Sequence, residues 1–212
     1  TKMDKSYRQF WDSIYQRYES TKIKYDKQNW LVRYLNEFTP KSSILELGCG
    51  YGTNAKFFED IGLTELATDF SDVALEILKK NCPTIKTQHL NLLKSFPFED
   101  DSFDIVIADL CLHYFSEQKT EKIMNEIQRV LKNDGLLLAR VNSTKDFNHG
   151  AGQGEKLETN FFYVDGYNKR FFNDDSVQQF FGSIGEYEYR PETINRNGKN
   201  KEIFEIAVKI KK

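Results

Sequence analysis

The sequence predicts an α/β fold: a doubly wound, seven-stranded, mostly parallel sheet with helices on both faces and an antiparallel hairpin at its C-terminal end. Three observations lead there. A short apolar run, Ser43-Ile44-Leu45-Glu46-Leu47, passes into Gly48-Cys49-Gly50-Tyr51-Gly52 and then a helical pattern, which reads as buried strand, tight turn and helix. Short apolar strands then alternate with helical stretches as far as Val141, the rhythm of parallel βαβ units. Two long segments, 186–195 and 201–210, flank Asn197-Gly198, a hairpin signal.

Bulk properties bound the answer. A chain of 212 residues fits one domain with a sizeable core. The expected division is residues 1–40 as aromatic helices forming a lid, and 41–212 as the main domain with an insertion at about 143–170. Net charge is −2, so no broad electrostatic footprint for nucleic acid is expected. Aromatic residues reach 14%, which suits an aromatic-lined pocket or lid, or simply a Phe-rich core. There is no apolar run of about 20 residues and no signal peptide, so a cytoplasmic protein with no membrane contact is expected. Cys49, Cys82 and Cys111 lack metal-ligand spacing and the three histidines do not cluster; no metal is expected.

The elements follow in order. Residues 4–20 carry Tyr7, Phe10, Trp11, Ile14, Tyr15 and Tyr18 at spacings of three and four, an aromatic stripe on a helix. Residues 26–38 read as a second helix with Trp30, Leu31, Tyr34, Leu35 and Phe38 on its apolar face, ended by Pro40. The strand 43–47 and its glycine turn come next, then a helix through Asp60. Glycines at alternate positions permit positive φ and let a ligand approach the backbone without meeting a Cβ. A Walker loop would require Gly-Lys-Ser/Thr, which is absent. A dinucleotide fingerprint fits Gly48 and Gly50, fails at Thr53, and would set Glu46 beside a pyrophosphate. A turn with no ligand stays open.

The second strand, 65–68, ends at Asp69, about twenty positions beyond the first loop glycine. A carboxylate there can accept from both hydroxyls of a ribose; the plain alternative is an N-cap-region residue with Ser71 as the cap. Phe70 is placed to lie against an adenine. A helix at 72–81, a strand at 85–90 and a fourth strand at 105–108 follow. A helix at 117–132 is closed by Asn133-Asp134-Gly135, and a fifth strand spans 136–141. Residues 143–170 break the pattern and read as an irregular acceptor-side wall, with His149, Tyr163, Tyr167 and Arg170 as candidate contacts. Asn173 caps a last helix containing Val177, Phe180 and Phe181.

The pattern Glu46-x-Gly48-x-Gly50-x-Gly52 resembles motif I of the class I S-adenosylmethionine (SAM) methyltransferases. Phe96-Pro97-Phe98-Glu99-Asp100-Asp101-Ser102-Phe103-Asp104 resembles the same family's turn into the fourth strand. The likeness covers about residues 40–142 in motif and the remainder in element order; compact size and short aromatic helices resemble its small-molecule branch, tellurite-resistance-type and thiopurine-type enzymes. The resemblance implies SAM as cofactor, S-adenosylhomocysteine as product and a small-molecule acceptor, in a monomer or homodimer. It implies that Glu46, Gly48, Cys49, Gly50, Gly52 and Asn54 hold the methionine end, whose ammonium a carboxylate favours. Asp69 and Phe70 then take the nucleoside. Asn91, where the family commonly has Asp, and Leu92 take the adenine. Asp109 and Leu110 lie near the sulfonium, and Trp11 and Tyr15 close over the cofactor. Asp109 and His113 are the candidate bases and His113 and Tyr114 candidate substrate contacts, although a lone histidine is as readily structural. A protein or RNA methyltransferase, or a non-catalytic SAM-binding protein, remains an alternative.

Overall fold

The computed structural model describes residues 2–18, 29–196 and 198–212. Among these residues no helix is long and apolar enough to cross a membrane. The chain forms two compact units, residues 1–96 and 97–212.

The first unit opens with α1 (Lys2–Gln16) and a 3-10 helix, Trp30–Glu37. It continues with β1 (Ile44–Leu47), α2 (Thr53–Asp60), β2 (Leu66–Asp69), α3 (Asp72–Asn81) and β3 (Lys86–His89). The second unit holds β4 (Phe103–Asp109), α4 (Glu117–Val130), β5 (Leu131–Asn142), β6 (Glu155–Glu158), β7 (Phe161–Val164), β8 (Tyr167–Arg170), α5 (Asp174–Phe180), β9 (Gly185–Arg196) and β10 (Lys199–Ile210). Seven strands form one sheet in the order β3-β2-β1-β4-β5-β10-β9, the doubly wound, mostly parallel arrangement the sequence predicts. β2 is parallel to β1 and β3, and β4 is parallel to β5. β10 runs antiparallel to both β5 and β9.

The parallel strands read as apolar runs because both faces are covered. Ile44, Leu45 and Leu47 are buried, as are Ile105, Val106, Ile107 and Ala108. The largest fully buried side chains begin with three adjacent pairs, Phe57-Phe58, Phe171-Phe172 and Phe180-Phe181, so much of the aromatic content is core. In the second unit the Phe172 ring lies 5.9 Å from Phe180 and 6.1 Å from Phe181.

Four expectations are corrected. The helix expected at 26–38 is a 3-10 helix at Trp30–Glu37, with Tyr34 out of helical geometry at φ −107°; residues 26–28 lie outside the described residues. Leu31, Tyr34 and Phe38 are buried while Leu35 faces out, the three-residue repeat of a 3-10 turn carrying it away from the core. The helix expected at 117–132 stops at Val130, with Leu131 already extended. The left-handed residue beyond it is Asp134, at φ 61°, and not Gly135. Gly135 answers crowding: a Cβ there would stand 2.8 Å from the Lys132 carbonyl and 3.1 Å from that of Asp104. Finally, the stretch 143–170 is irregular only in its first part. Residues 155–170 form a three-stranded antiparallel sheet, β6-β7-β8, hidden in the sequence because its strands are only four residues long, too short to show a period. The hairpin turn expected at Asn197-Gly198 has Asn197 outside the described residues; Gly198 adopts φ 78° and donates its N–H to Asn195.

Phe172→Ala should destabilise the protein by about 3–5 kcal/mol, since it empties the centre of a closed aromatic cluster. Urea unfolding followed by circular dichroism should give a lower midpoint with an unchanged slope; a midpoint like that of wild type would show the cluster can collapse.

Candidate cofactor cradle and acceptor residues

In the first unit the turn after β1 runs through three left-handed glycines, Gly48 at φ 64°, Gly50 at 55° and Gly52 at 100°. Asp69, at the end of β2, holds it in shape. Its Oδ2 accepts the Gly50 N–H at 2.8 Å and its Oδ1 the Ser71 N–H at 2.8 Å. Ser71 in turn caps α3 by accepting from Ala74 at 3.2 Å, and its hydroxyl donates to Asp12 of α1 at 2.6 Å. Asp69 therefore has a structural task that the sequence reading did not assign, though each oxygen keeps a second lone pair for a ribose hydroxyl. Burial raises its pKa, against the lowering effect of the Ser71, Gly50 and Phe70 N–H donors.

Glu46 is 1% exposed, and its Oε1 accepts from Asn54 Nδ2 at 2.7 Å. Asn54 Oδ1 accepts from Asn29 Nδ2 at 3.1 Å, and Asn29 Oδ1 accepts from Leu31 N at 2.9 Å. A buried amide relay thus fixes the Glu46 carboxylate from the start of the 3-10 helix. Sequence reasoning missed Asn29 and also Glu65, a buried carboxyl at the entry to β2 that interacts with Glu46. Burial and the nearby Glu46 charge push Glu65 well above the ordinary carboxylate range. Cys49 is buried and free, and burial together with the Asp69 and Glu46 charges raises its thiol well above its usual value, so it is inert.

Helix α1 bears on this turn. The Tyr15 hydroxyl lies 3.0 Å from where a Gly50 Cβ would stand, and Tyr18 stacks on Tyr51 at 5.1 Å between ring centroids. Trp11 lies 6.3 Å from Tyr15. Phe70, partly exposed, tilts against His89 at 5.6 Å. Asn91 Oδ1 accepts its neighbour Leu93 N–H at 2.9 Å, an Asx turn, so the oxygen expected to receive an adenine amino group is already engaged once. Leu92 is partly buried beside it. The cradle fits a cationic, phosphate-free ligand. Two carboxylates border it, no Lys or Arg occurs between Ser42 and Ala55, and its glycines leave the backbone bare.

In the second unit the expected roles divide. Asp109 is committed: Arg140 grips it with Nε at 2.7 Å and Nη2 at 2.8 Å. This bidentate pair engages both carboxylate oxygens, which counts against Asp109 as a general base. Leu110, next in line, is held left-handed at φ 54° with its N–H on the Arg140 carbonyl. His113 is 3% exposed, with no partner for Nδ1 among the described residues. Burial, followed by the charges of Lys201, Lys169 and Arg196, drives its pKa well below the usual histidine value. It is neutral at pH 7 and can accept a proton. Tyr114 lies 4.3 Å from it and 5.8 Å from Tyr167. His149 pairs through Nδ1 with Asp146 at 2.8 Å, and Tyr163 is exposed. Arg170 is not a substrate contact. It is buried, bound to Glu158 and the Phe115 carbonyl, and set against the Phe161 and Phe180 rings, so it locks β8 in place.

Residues 45–139 match the protein family described as "Methyltransferase domain". That match covers a little under half of the chain. The fold also matches a SAM-dependent methyltransferase from Methanosarcina mazei, with TM-score 0.73 at 17% identity over 85% of this chain and 98% of that one. Among curated proteins, the chain is 29% identical over 155 residues to a tRNA N(3)-cytidine methyltransferase of Danio rerio, covering 67% of this chain and 44% of the relative. It is 26% identical over 145 residues to a phosphoethanolamine N-methyltransferase of Caenorhabditis elegans, covering 66% of this chain and 31% of the relative. The chain spans about half the length of these curated tRNA-methyltransferase relatives.

Gly52→Ala should cost about 1–3 kcal/mol, because φ 100° is strained for any side chain and the new Cβ would stand 2.8 Å from the buried Leu78 Cγ. Thermal unfolding checks this. Glu65 gives a pH signature. Its folded pKa lies above the unfolded value of about 4.5, so its contribution is complete below that pH and is lost as pH rises through the folded value. Glu65→Gln should flatten the decline in urea midpoint between those two values.

Proposed function

We propose that the protein is a SAM-dependent N-methyltransferase with a small-molecule acceptor. One observation carries the cofactor reading: a carboxylate-bordered glycine bend, free of cationic side chains, within the matched methyltransferase domain. Bound SAM supplies an electrophilic methyl group on a sulfonium. The residues of the chain do the rest by binding, orienting and keeping water out. Glu46, fixed by Asn54, and the Gly48–Gly52 backbone, with Cys49 between them, hold the methionine amino end. Asp69 holds the ribose, Phe70 covers the adenine, and Asn91 and Leu92 bound it. Trp11 and Tyr15 shut out water. Asp109, neutralised by Arg140, and the left-handed Leu110 shape the wall beside the transferred methyl.

Nitrogen is the favoured acceptor atom because the named relatives from two different substrate classes are both N-methyltransferases. A protonated amine must lose its proton before it can attack, and neutral His113 is proposed to take it. Tyr114, Tyr167, Tyr163 and His149 are proposed to bound the acceptor. The near-neutral charge supports a small acceptor over a nucleic acid, since polyanion binding rests on neutralising many phosphates. The tRNA methyltransferases among the relatives favour a second reading, methylation of a tRNA cytidine.

Calorimetric titration should detect SAM binding, weakened by about 1–3 kcal/mol in Asp69→Ala. NAD binding without SAM binding would refute the cofactor reading. With radiolabelled SAM, label should enter small amines; label confined to tRNA would establish the second reading. His113→Asn should lower kcat by about 10²–10⁴-fold. In the wild type the limb of kcat/KM assigned to His113 should fall well below pH 6.5.

A further inference from the structure

The second unit gathers cations at a place the methyl-transfer machinery does not account for. Residues opposite each other in an antiparallel pair share a face, as do residues two apart along a strand. Lys201 lies opposite Ile194, two positions from Arg196, while Ile203, two positions from Lys201, lies opposite Asn142. Lys201, Arg196 and Asn142 therefore project from one face of the β9-β10-β5 sheet. Lys201 Nζ donates to Asp146 Oδ2 at 2.8 Å, and Asp146 Oδ1 meets His149 Nδ1 at 2.8 Å. Lys169 Nζ donates to the His149 carbonyl at 3.0 Å and stands 4.7 Å over the Tyr167 ring. Tyr167 leads through Tyr114 to His113.

Buried lysines are ordinarily paired, and here the pairing is thin. Lys201 and Lys169 are 7% and 5% exposed. Buried Asp146 serves Lys201, His149 and the Glu202 N–H together. Asp165, which answers Lys169, is exposed and screened by water. Arg196 is exposed and lends a third positive charge to the field at His113. Two deeply buried atoms nearby, His113 Nδ1 and Asn142 Oδ1, have no hydrogen-bond partner among the described residues.

We propose that this cluster binds an oxyanion carried by the methyl acceptor, a phosphate, phosphonate or carboxylate, with Lys169, Lys201 and Arg196 supplying the positive charge. An amino or hydroxyl group on the same acceptor would donate to Asn142 Oδ1. The assignment rests on the small-molecule reading above. It makes the substrate class an amine that also bears an acidic group, and it makes Arg196, at the exposed edge, a specificity determinant.

The test uses the full chain labelled in its histidine rings, titrated by NMR with inorganic phosphate, and separately with acetate, at constant ionic strength set by chloride. The His113 resonances should shift saturably with phosphate, acetate or both, and the stronger anion names the acidic group. In Arg196→Gln and Lys169→Gln the midpoint should weaken about tenfold; Arg196→Gln alters only an exposed side chain and should fold normally. Shifts no larger than those chloride produces, or midpoints unchanged in both variants, would overturn the proposal. SAM titration on the same samples separates the two readings: SAM binding without an anion response refutes the oxyanion site alone, and absent SAM binding refutes the cofactor reading.

Discussion

The carboxylate of Asp69 ties the first unit together. One oxygen holds the Gly50 N–H and the other the Ser71 N–H, each at 2.8 Å, so a single side chain fixes both the bend after β1 and the start of α3. Left-handed backbone persists only where its surroundings over-determine it. Here Asp69 supplies one restraint and the Cys49 N–H, donating to the Thr68 carbonyl at 2.9 Å, supplies another. Because Asp69 serves the Ser71 backbone, the Ser71 hydroxyl is left to cap α3 and to hold Asp12. The aromatic helix is thereby anchored to the element the cradle depends on, and Tyr15 comes to rest beside Gly50.

Buried charge differs between the units. Residues 1–96 bury three carboxylates, Glu46, Glu65 and Asp69, whereas residues 97–212 bury Lys169, Arg170 and Lys201 beside two carboxylates, Asp146 and Glu205. Buried charge is costly unless something answers it, so each grouping narrows the ligand it can accept. The acidic bend suits a cationic cofactor. In the second unit Arg140 engages Asp109 and Glu158 engages Arg170, while Lys201, shared with Asp146, Lys169, answered by exposed Asp165, and Arg196 supply the positive field at His113. Burial and these cations keep His113 neutral, the form a proton acceptor requires.

What could be read along the chain was whatever rests on local pattern. Glycines at alternate positions, the capping residues Ser71 and Asn173, and the apolar strands were legible because turn, cap and burial preferences act within a few residues. The strands β6 to β8 were not, since four-residue segments carry no dependable period. Lys201 had a faint signal: it shares alternation with Ile203 on β10, so an inward position could have been inferred from period two.

By itself the sequence determined the doubly wound order, the bend after the first strand and the acidic residues that border it. Those depend on the intrinsic freedom of glycine and on short-range hydrophobic spacing. Tertiary structure alone decided which charges are spent and which remain. Arg140 reaches Asp109 across 31 positions and Lys201 reaches Asp146 across 55. A salt bridge forms where folding brings two groups together, and no local pattern in either segment encodes its partner.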